Sequence, residues 1–503
     1  MNRGKCRASK QRISKRNLKI IYIALILTLA YFIVFLVTHP MAPSFYDDDT
    51  AYEMLAYDAA YGQFYPTTSY YYTARIMQIL PMAVFYEFMG VNFLSSAMWN
   101  IVSSLLLVIL TFYIGKDLYN EYAGYLAALI MSVFPLVVYL AGTSKETIPM
   151  ALFSTLALFS AMKGYDENSA KWYFVSGMSI VASFLASLLG SIISIVIFVY
   201  ILILALYHKI SGKGNSVSFK SLYVFGGLAF GLLLVLMYGY FTVSNPFIIF
   251  QINIEYSTVP SFTHFSVITP YYAILLPPFF DNLSGINIGY IFYIFYIAVP
   301  FLLIKRVKSS YTTIFWSVFT LLYLFIGPMS ISISPLKYSV IPRGWQYLPI
   351  VAAPVAVTIA IFLVELNKIY KKHKLTARLI TAAILIFIVY SSVNLDFASY
   401  YGYRTQMLPI YYLAQYIGSL PNTTTVYIPL QLPNLEVYLD FKNINRLIYY
   451  NENITNCNIT KQYDYIVIAD YSNNNQSLCS FWTSVNFFGN KTVTNNYVYL
   501  YKP

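Results

Sequence analysis

Residues 20–38 read IIYIALILTLAYFIVFLVT, an uncharged apolar run, and residues 1–19 before it, MNRGKCRASKQRISKRNLK, hold eight Lys/Arg and no acid. At a helical rise of about 1.5 Å per residue, such a run matches the ~30 Å hydrocarbon core of a bilayer. It is long for a signal peptide and no clear small-residue cleavage site follows, so it reads as a retained first span with its N-terminus inside. The rest of the chain repeats the pattern. Of 503 residues 58% are hydrophobic and only 10% charged, with a mean hydropathy of +0.60. Soluble domains carry about 25% charged residues, which excludes a soluble enzyme with one large core. The three Cys exclude a disulfide scaffold. The fold class is an α-helical polytopic membrane protein of about eleven transmembrane helices, expected near 20–38, 94–113, 122–141, 147–162, 172–189, 190–207, 221–242, 286–304, 312–330, 347–364 and 379–395.

The charges fix an orientation for that count. With the N-terminus inside, inner segments collect 22 of the 32 Lys/Arg but only five of the 20 acids: Asp117, Glu121, Asp166, Glu167 and Glu365. The net charge of +12 is therefore a positive-inside pattern rather than a nucleic-acid footprint. An odd number of spans puts the C-terminus outside. The Asn-x-Ser/Thr sequons at Asn282, Asn422, Asn453, Asn458, Asn475 and Asn490 all fall on outer segments, as glycosylation requires, although an Asn-rich tail produces sequons by chance. Cys457 and Cys479 also lie outside, where they stand equally as a disulfide pair or as two free thiols.

Three parts follow: a basic cytoplasmic tail (1–19), a transmembrane domain (20–395) with long outer loops at 39–93 and 243–285, and an extracytoplasmic C-terminal domain (396–503). A helical stretch at 408–418 and strand-like runs at 424–429, 446–450, 463–469 and 497–501 make that last part a small α/β domain. No expected span contains Asp, Glu, Lys, Arg or His. Ion-coupled transporters need ionisable groups within the membrane, so chemistry is expected at the outer surface.

The first outer loop reads Phe45-Tyr46-Asp47-Asp48-Asp49-Thr50-Ala51-Tyr52, followed by Glu53 and Asp58. Glu53 and Asp58 lie on a predicted helix with Tyr52, Leu55 and Ala56 at apolar i, i+3, i+4 spacing. Three adjacent carboxylates repel one another. That is tolerated where they cap a helix, bind a cation, or abstract a proton. Residues 75–90, with Arg75, Pro81 and Glu87, are too short and interrupted to cross comfortably and are expected to lie along the outer interface. The outer membrane-proximal cations are Arg75, Lys145, Lys337 and Arg343, each by itself an ordinary interfacial anchor.

An inner N-terminus, a first span, an Asp-acid-x-x-Tyr motif (Asp48-Asp49-Thr50-Ala51-Tyr52) and an interfacial helix opened by Arg75 together resemble the GT-C superfamily of lipid-phosphosugar-dependent glycosyltransferases. The nearest patterns are the dolichyl-phosphate-mannose protein mannosyltransferases and the lipid A aminoarabinose transferases. Asp49 stands where the family has Glu, and the two prolines of the family's Lys-Pro-Pro-Leu segment are absent after Arg75. Gly115-Lys116-Asp117-Leu118-Tyr119, the stretch from Gly124 to Pro135, Ser144-Lys145-Glu146 and Arg343-Gly344-Trp345-Gln346-Tyr347-Leu348-Pro349 are similar to later family segments.

The resemblance implies inverting transfer of a sugar from a polyprenyl-phosphate donor to a glycan, protein or lipid acceptor at the outer face, beside membrane lipid and without nucleic acid. Such a reaction needs one base and cations for a leaving phosphate. Asp48 is the expected base, with Asp49 or Asp47 positioning the acceptor or a metal. Tyr52, Arg75, Lys145, Glu146, Lys337 and Arg343 are the expected substrate contacts. Carboxylates this close can hold Mg2+ or Mn2+, with Asp47 and Asp49 as ligands. Oligosaccharyltransferases of the superfamily use a metal and mannosyltransferase-like members do not, so both readings stand. The alternatives are an oligosaccharyltransferase-like enzyme, disfavoured because the tail has no Trp-Trp-Asp-type motif, and a non-catalytic polytopic transporter or receptor.

Overall fold

A computed structural model of the chain describes residues 15–39, 48–210, 219–257, 291–326, 328–333, 336–340, 345–369, 374–421, 423–429, 447–450, 465–470, 483–488 and 497–502. Asp47, Arg343, Cys457, Cys479 and all six sequon asparagines lie outside the described residues. The membrane part is built from α1 (Lys15–Thr38), α2 (Asp48–Ala60), α3 (Ile76–Met89), α4 (Phe93–Leu118), α5 (Glu121–Ser132), α6 (Pro135–Ala141), α7 (Thr147–Glu167), α8 (Ala170–Ala186), α9 (Ile192–Ile210), α10 (Tyr223–Val243), α11 (Ile248–Ser257), α12 (Ile291–Ile304), α13 (Tyr311–Ile326), α14 (Ala352–Ile369) and α15 (Lys374–Ser419).

Among the described residues each expected span overlaps a helix, but no more than six helices or bent pairs are long and apolar enough to cross. Five are long and apolar enough to cross alone: Ile21–Thr38, Phe93–Leu118, Thr147–Glu167, Phe219–Val243 and Tyr347–Lys368. The span expected at 122–141 is α5 and α6, bent by 54° at a break before Pro135. The segments Ala170–Ala186, Leu188–Ile203, Ile291–Ile304 and Arg378–Asn394 are shorter apolar helices. The span drawn at 312–330 is corrected: α13 ends at Ile326, and an antiparallel hairpin of β1 (Pro328–Ile333) and β2 (Leu336–Val340) follows. Pro328 has no N–H to continue the helical ladder.

The segment Tyr347–Lys368 is the central pillar, 94% buried, whereas Ile21–Thr38 and Phe219–Val243 are each 28% buried and present most of their surface outward. Small side chains on α14 (Ala352, Ala353, Ala356, Ala360) let neighbouring helices approach. At the α8–α10 crossing the two helices nearly touch. A Cβ on Gly177 would stand 2.0 Å from the Val224 carbonyl oxygen, and one on Gly227 2.0 Å from that of Phe174.

The α15 helix runs unbroken across the boundary expected at 395/396 and includes the helical stretch expected at 408–418. It packs on β6 and β7 of a five-stranded mixed sheet. That sheet is ordered β4-β3-β5-β7-β6, from β3 (Val426–Pro429), β4 (Leu447–Tyr450), β5 (Tyr465–Asp470), β6 (Thr483–Phe488) and β7 (Tyr497–Lys502). β3 pairs in parallel with β4 and β5, and β7 pairs antiparallel with β5 and β6. Four of these strands coincide with expected runs, and β6 was not among them.

Polar contacts sort to two ends of the bundle. Lys163 pairs with Asp117 at 2.8 Å and Glu167 at 3.3 Å, and Lys368 pairs with Glu365 at 2.8 Å, with the Tyr119 hydroxyl bonded to both. All of these belong to segments expected inside. Segments expected outside meet at the opposite end, where α2, α3, α11 and the turn after α6 converge.

Candidate active site

The site begins with α2. Asp49, Tyr52, Glu53 and Ala56 are all fully or almost fully buried, a stripe at i, i+3, i+4, i+7 that faces α3. Tyr52, Leu55 and Ala56 pack there against Ile79, Met82, Ala83 and Tyr86. Tyr52 lies edge-to-face on Tyr72, with ring centroids 5.3 Å apart, so it acts as a wedge between α2 and the turn before α3. Asp48 is the first residue of α2, one position back from the buried stripe.

Arg75 stands where a short 3-10 turn (Tyr71–Ala74) gives way to α3, at the N-cap position of that helix. Only 4% of it is exposed, and its Nη1 donates to Asn253 Oδ1 at 2.8 Å. The Asn253 amide is oriented from behind, since its Nδ2 donates to the Ile249 carbonyl. Among the described residues no carboxylate lies within ion-pair distance of Arg75. A desolvated guanidinium at a helix N-terminus, where the dipole also favours negative charge, is a receptor for an anion.

The third wall is the turn between α6 and α7. Ser144 Oγ donates to Glu53 Oε1 at 2.6 Å, and Gln78 Nε2 donates to the Ser144 carbonyl at 2.6 Å. Asn100, inside the apolar α4, donates its Nδ2 to the carbonyls of Thr143 at 2.8 Å and Lys145 at 2.7 Å. Glu146 is buried as well. Burial pushes the Glu53 carboxyl well above the usual carboxylate range; the Ser144 hydrogen bond opposes this and the nearby Asp49 charge adds to it. Its second oxygen, Oε2, has no hydrogen-bond partner among the described residues.

Of the residues singled out from the sequence, Asp49, Tyr52, Arg75, Lys145 and Glu146 come together in this region. Lys337 lies on β2, paired in register with Ser332, in a hairpin whose β1 leans on α11, the helix that holds Arg75. The sequence alone places Glu53 on a helix and singles out none of Gln78, Asn100 and Asn253. The signal for Glu53 was its i+4 spacing from Asp49, and for Asn100 a lone carboxamide in an apolar run. Among the described residues no three His, Cys, Asp or Glu are grouped to hold a metal; Asp47 and the Asp48 side chain lie outside that description.

Residues 76–241, about a third of the chain, match the family model described as dolichyl-phosphate-mannose-protein mannosyltransferase. No curated protein sequence matches. Among solved structures, ArnT from Cupriavidus metallidurans bound to undecaprenyl phosphate superposes with a TM-score of 0.58 at 12% identity, over 97% of this chain and 98% of that one. The Archaeoglobus fulgidus oligosaccharyltransferase tethered to an acceptor peptide gives 0.58 at 12% identity, over 90% and 69%. The Archaeoglobus enzyme AglB in complex with an inhibitory peptide and a dolichol-phosphate gives 0.50 at 11%, over 90% and 69%. At these identities the likeness shows the fold alone, an integral multi-pass membrane bundle.

Proposed function

We propose that this chain, a membrane glycosyltransferase of the GT-C type by fold and matched segment, moves a sugar from a polyprenyl-phosphate donor to an acceptor on the extracytoplasmic face, with inversion. The observation that carries the reading is the buried Arg75 guanidinium, bonded to a neutral amide, in the same region as the buried acidic face of α2. Arg75 takes the leaving phosphate, joined by Lys145, Lys337 and Arg343. The α2 carboxylates serve the acceptor: Asp48 is the base, and Asp49 and Asp47 position the attacking group or a divalent cation. Inversion follows if one carboxylate deprotonates the acceptor as it attacks opposite the phosphate. Two of the structural relatives bind undecaprenyl phosphate or a dolichol-phosphate, which supports the donor class.

The orientation belongs to the same reading: eleven crossings, the N-terminus in the cytoplasm, and 396–503 outside as an α/β unit. The sorting of expected inner and outer segments to opposite ends supports it. Purified protein incubated with a panel of polyprenyl-phosphate sugars and acceptors tests the function. One donor is expected to be consumed with release of polyprenyl phosphate and formation of a glycoside of opposite anomeric configuration. Consumption of none contradicts the reading.

A further inference from the structure

We propose that Glu53, Gln78 and Asn100 are positioning residues that clasp the turn between α6 and α7 and so hold Lys145 and Glu146 against the acidic face of α2. The proposal rests on the function above for its chemistry, but not for the clasp. Three helices each contribute one side chain, all fully buried, and each is aimed at the same few residues. Glu53 from α2 receives the Ser144 hydroxyl, and Gln78 from α3 grips the Ser144 carbonyl. Asn100 from α4 reaches the carbonyls of Leu140 at 3.3 Å, Thr143 at 2.8 Å and Lys145 at 2.7 Å. Its Nδ2 has two hydrogens for three acceptors, so at least one is shared.

The demand for this arrangement is physical. The seven-residue α6 ends in a buried region, and the last carbonyls of any helix have no intrahelical donor. Leu140, at the end of α6, is also served locally by the Thr143 N–H and hydroxyl, whereas the turn carbonyls of Thr143 and Lys145 take Asn100 Nδ2 from 43 and 45 residues away. A structural cap alone would not need the contact to α2. Here the acid that receives Ser144 sits one helical turn after Asp49, so a shift of the turn is a shift relative to the acidic face. A neutral Glu53 carboxyl, favoured by its burial, keeps this hydrogen bond without burying another negative charge beside Asp49.

The test uses the purified full chain and its Glu53→Ala, Glu53→Gln, Asn100→Ala and Ser144→Ala variants. Amide hydrogen exchange over residues 140–147 and the kcat and KM of transfer are read for each. Asn100→Ala and Glu53→Ala are expected to speed exchange there about tenfold or more, as a local opening, while α8 and α10 stay protected. In the same variants kcat falls about a hundredfold, the scale of a ~1 Å misplacement, with donor KM little changed. Glu53→Gln restores most of the activity that Glu53→Ala loses. Unchanged exchange, faster exchange with unchanged kcat, or a Glu53→Gln variant as damaged as Glu53→Ala each overturns the proposal. Should the larger truncations unfold the protein, Ser144→Ala removes one hydroxyl and answers by the same criteria. Should the wild type transfer nothing, the function falls, and the exchange data still decide whether the clasp exists.

Discussion

Glu53 carries a cost that can be measured directly. In the unfolded chain it ionises near the ordinary Glu value of about 4.3. In the folded chain burial keeps its proton to higher pH. Between those two points the folded state binds more protons, so this residue's contribution makes stability fall as pH rises. Glu53→Gln removes that dependence. Its Tm is expected to match the wild type near pH 4 and exceed it at pH 8; a wild type as stable as the variant at pH 8 contradicts the burial argument. Arg75 makes the complementary prediction about ligands. Loss of a charge-assisted contact worth about 1.5–3 kcal/mol raises donor KM by roughly tenfold to a hundredfold in Arg75→Ala. Arg75→Lys recovers part of this, because an ammonium cannot reproduce the bidentate fork. Donor dependence unchanged in Arg75→Ala removes the phosphate role. The sequence shows Arg75 as a cation and Asp49 as an acid, because both stand in short polar stretches beside apolar runs. It cannot show that Asn253, 178 residues away, holds Arg75, since nothing local marks that amide.

At the scale of elements, apolar length and interruption were legible and the way helices end was less so. The α2 helix followed from the spacing of Tyr52, Leu55 and Ala56, and α3 from a segment too short to span. The late span was drawn past Ile326 because 327–330 remains fairly apolar, yet Pro328 starts a strand. The sequence reading separates a span at 379–395 from a helical stretch at 408–418, whereas α15 runs through both without a break. Sheet order is set by pairings between distant strands, which no local pattern carries. The α8–α10 crossing gives a sharp test from adjacent residues. A Cβ on Gly227 meets the Phe174 carbonyl oxygen at 2.0 Å, whereas one on Gly226 finds only Phe174 Cδ2 at 3.9 Å. Gly227→Ala is therefore expected to lower stability by about 1–3 kcal/mol, as overpacking does, and Gly226→Ala to be neutral or slightly stabilising. Equal thermal stability of the two variants contradicts the close approach.

For the whole molecule, the proposed orientation rests on the charge asymmetry, and the ion pairs fall together on segments it assigns to one side. Lys163 with Asp117 and Glu167, and Lys368 with Glu365, gather at the end assigned to the cytoplasm. Glu53, Arg75, Ser144 and Asn253 gather at the other. With the three native cysteines replaced by Ser, an impermeant thiol reagent on intact cells is expected to label Gln63→Cys and to spare Asp166→Cys until the membrane is opened. The reverse pattern puts the acidic helix on the wrong side for a lipid-linked donor displayed outside. In the proposed reaction the α2 carboxylates deprotonate the acceptor while Arg75 holds the departing polyprenyl phosphate. Its most direct test is single-donor transfer by purified wild type and Asp48→Asn protein, both monodisperse and equally stable. Transfer is expected from the wild type, with a loss of about a hundredfold to ten-thousandfold in the variant, the range of a general base. Undiminished transfer by Asp48→Asn contradicts it.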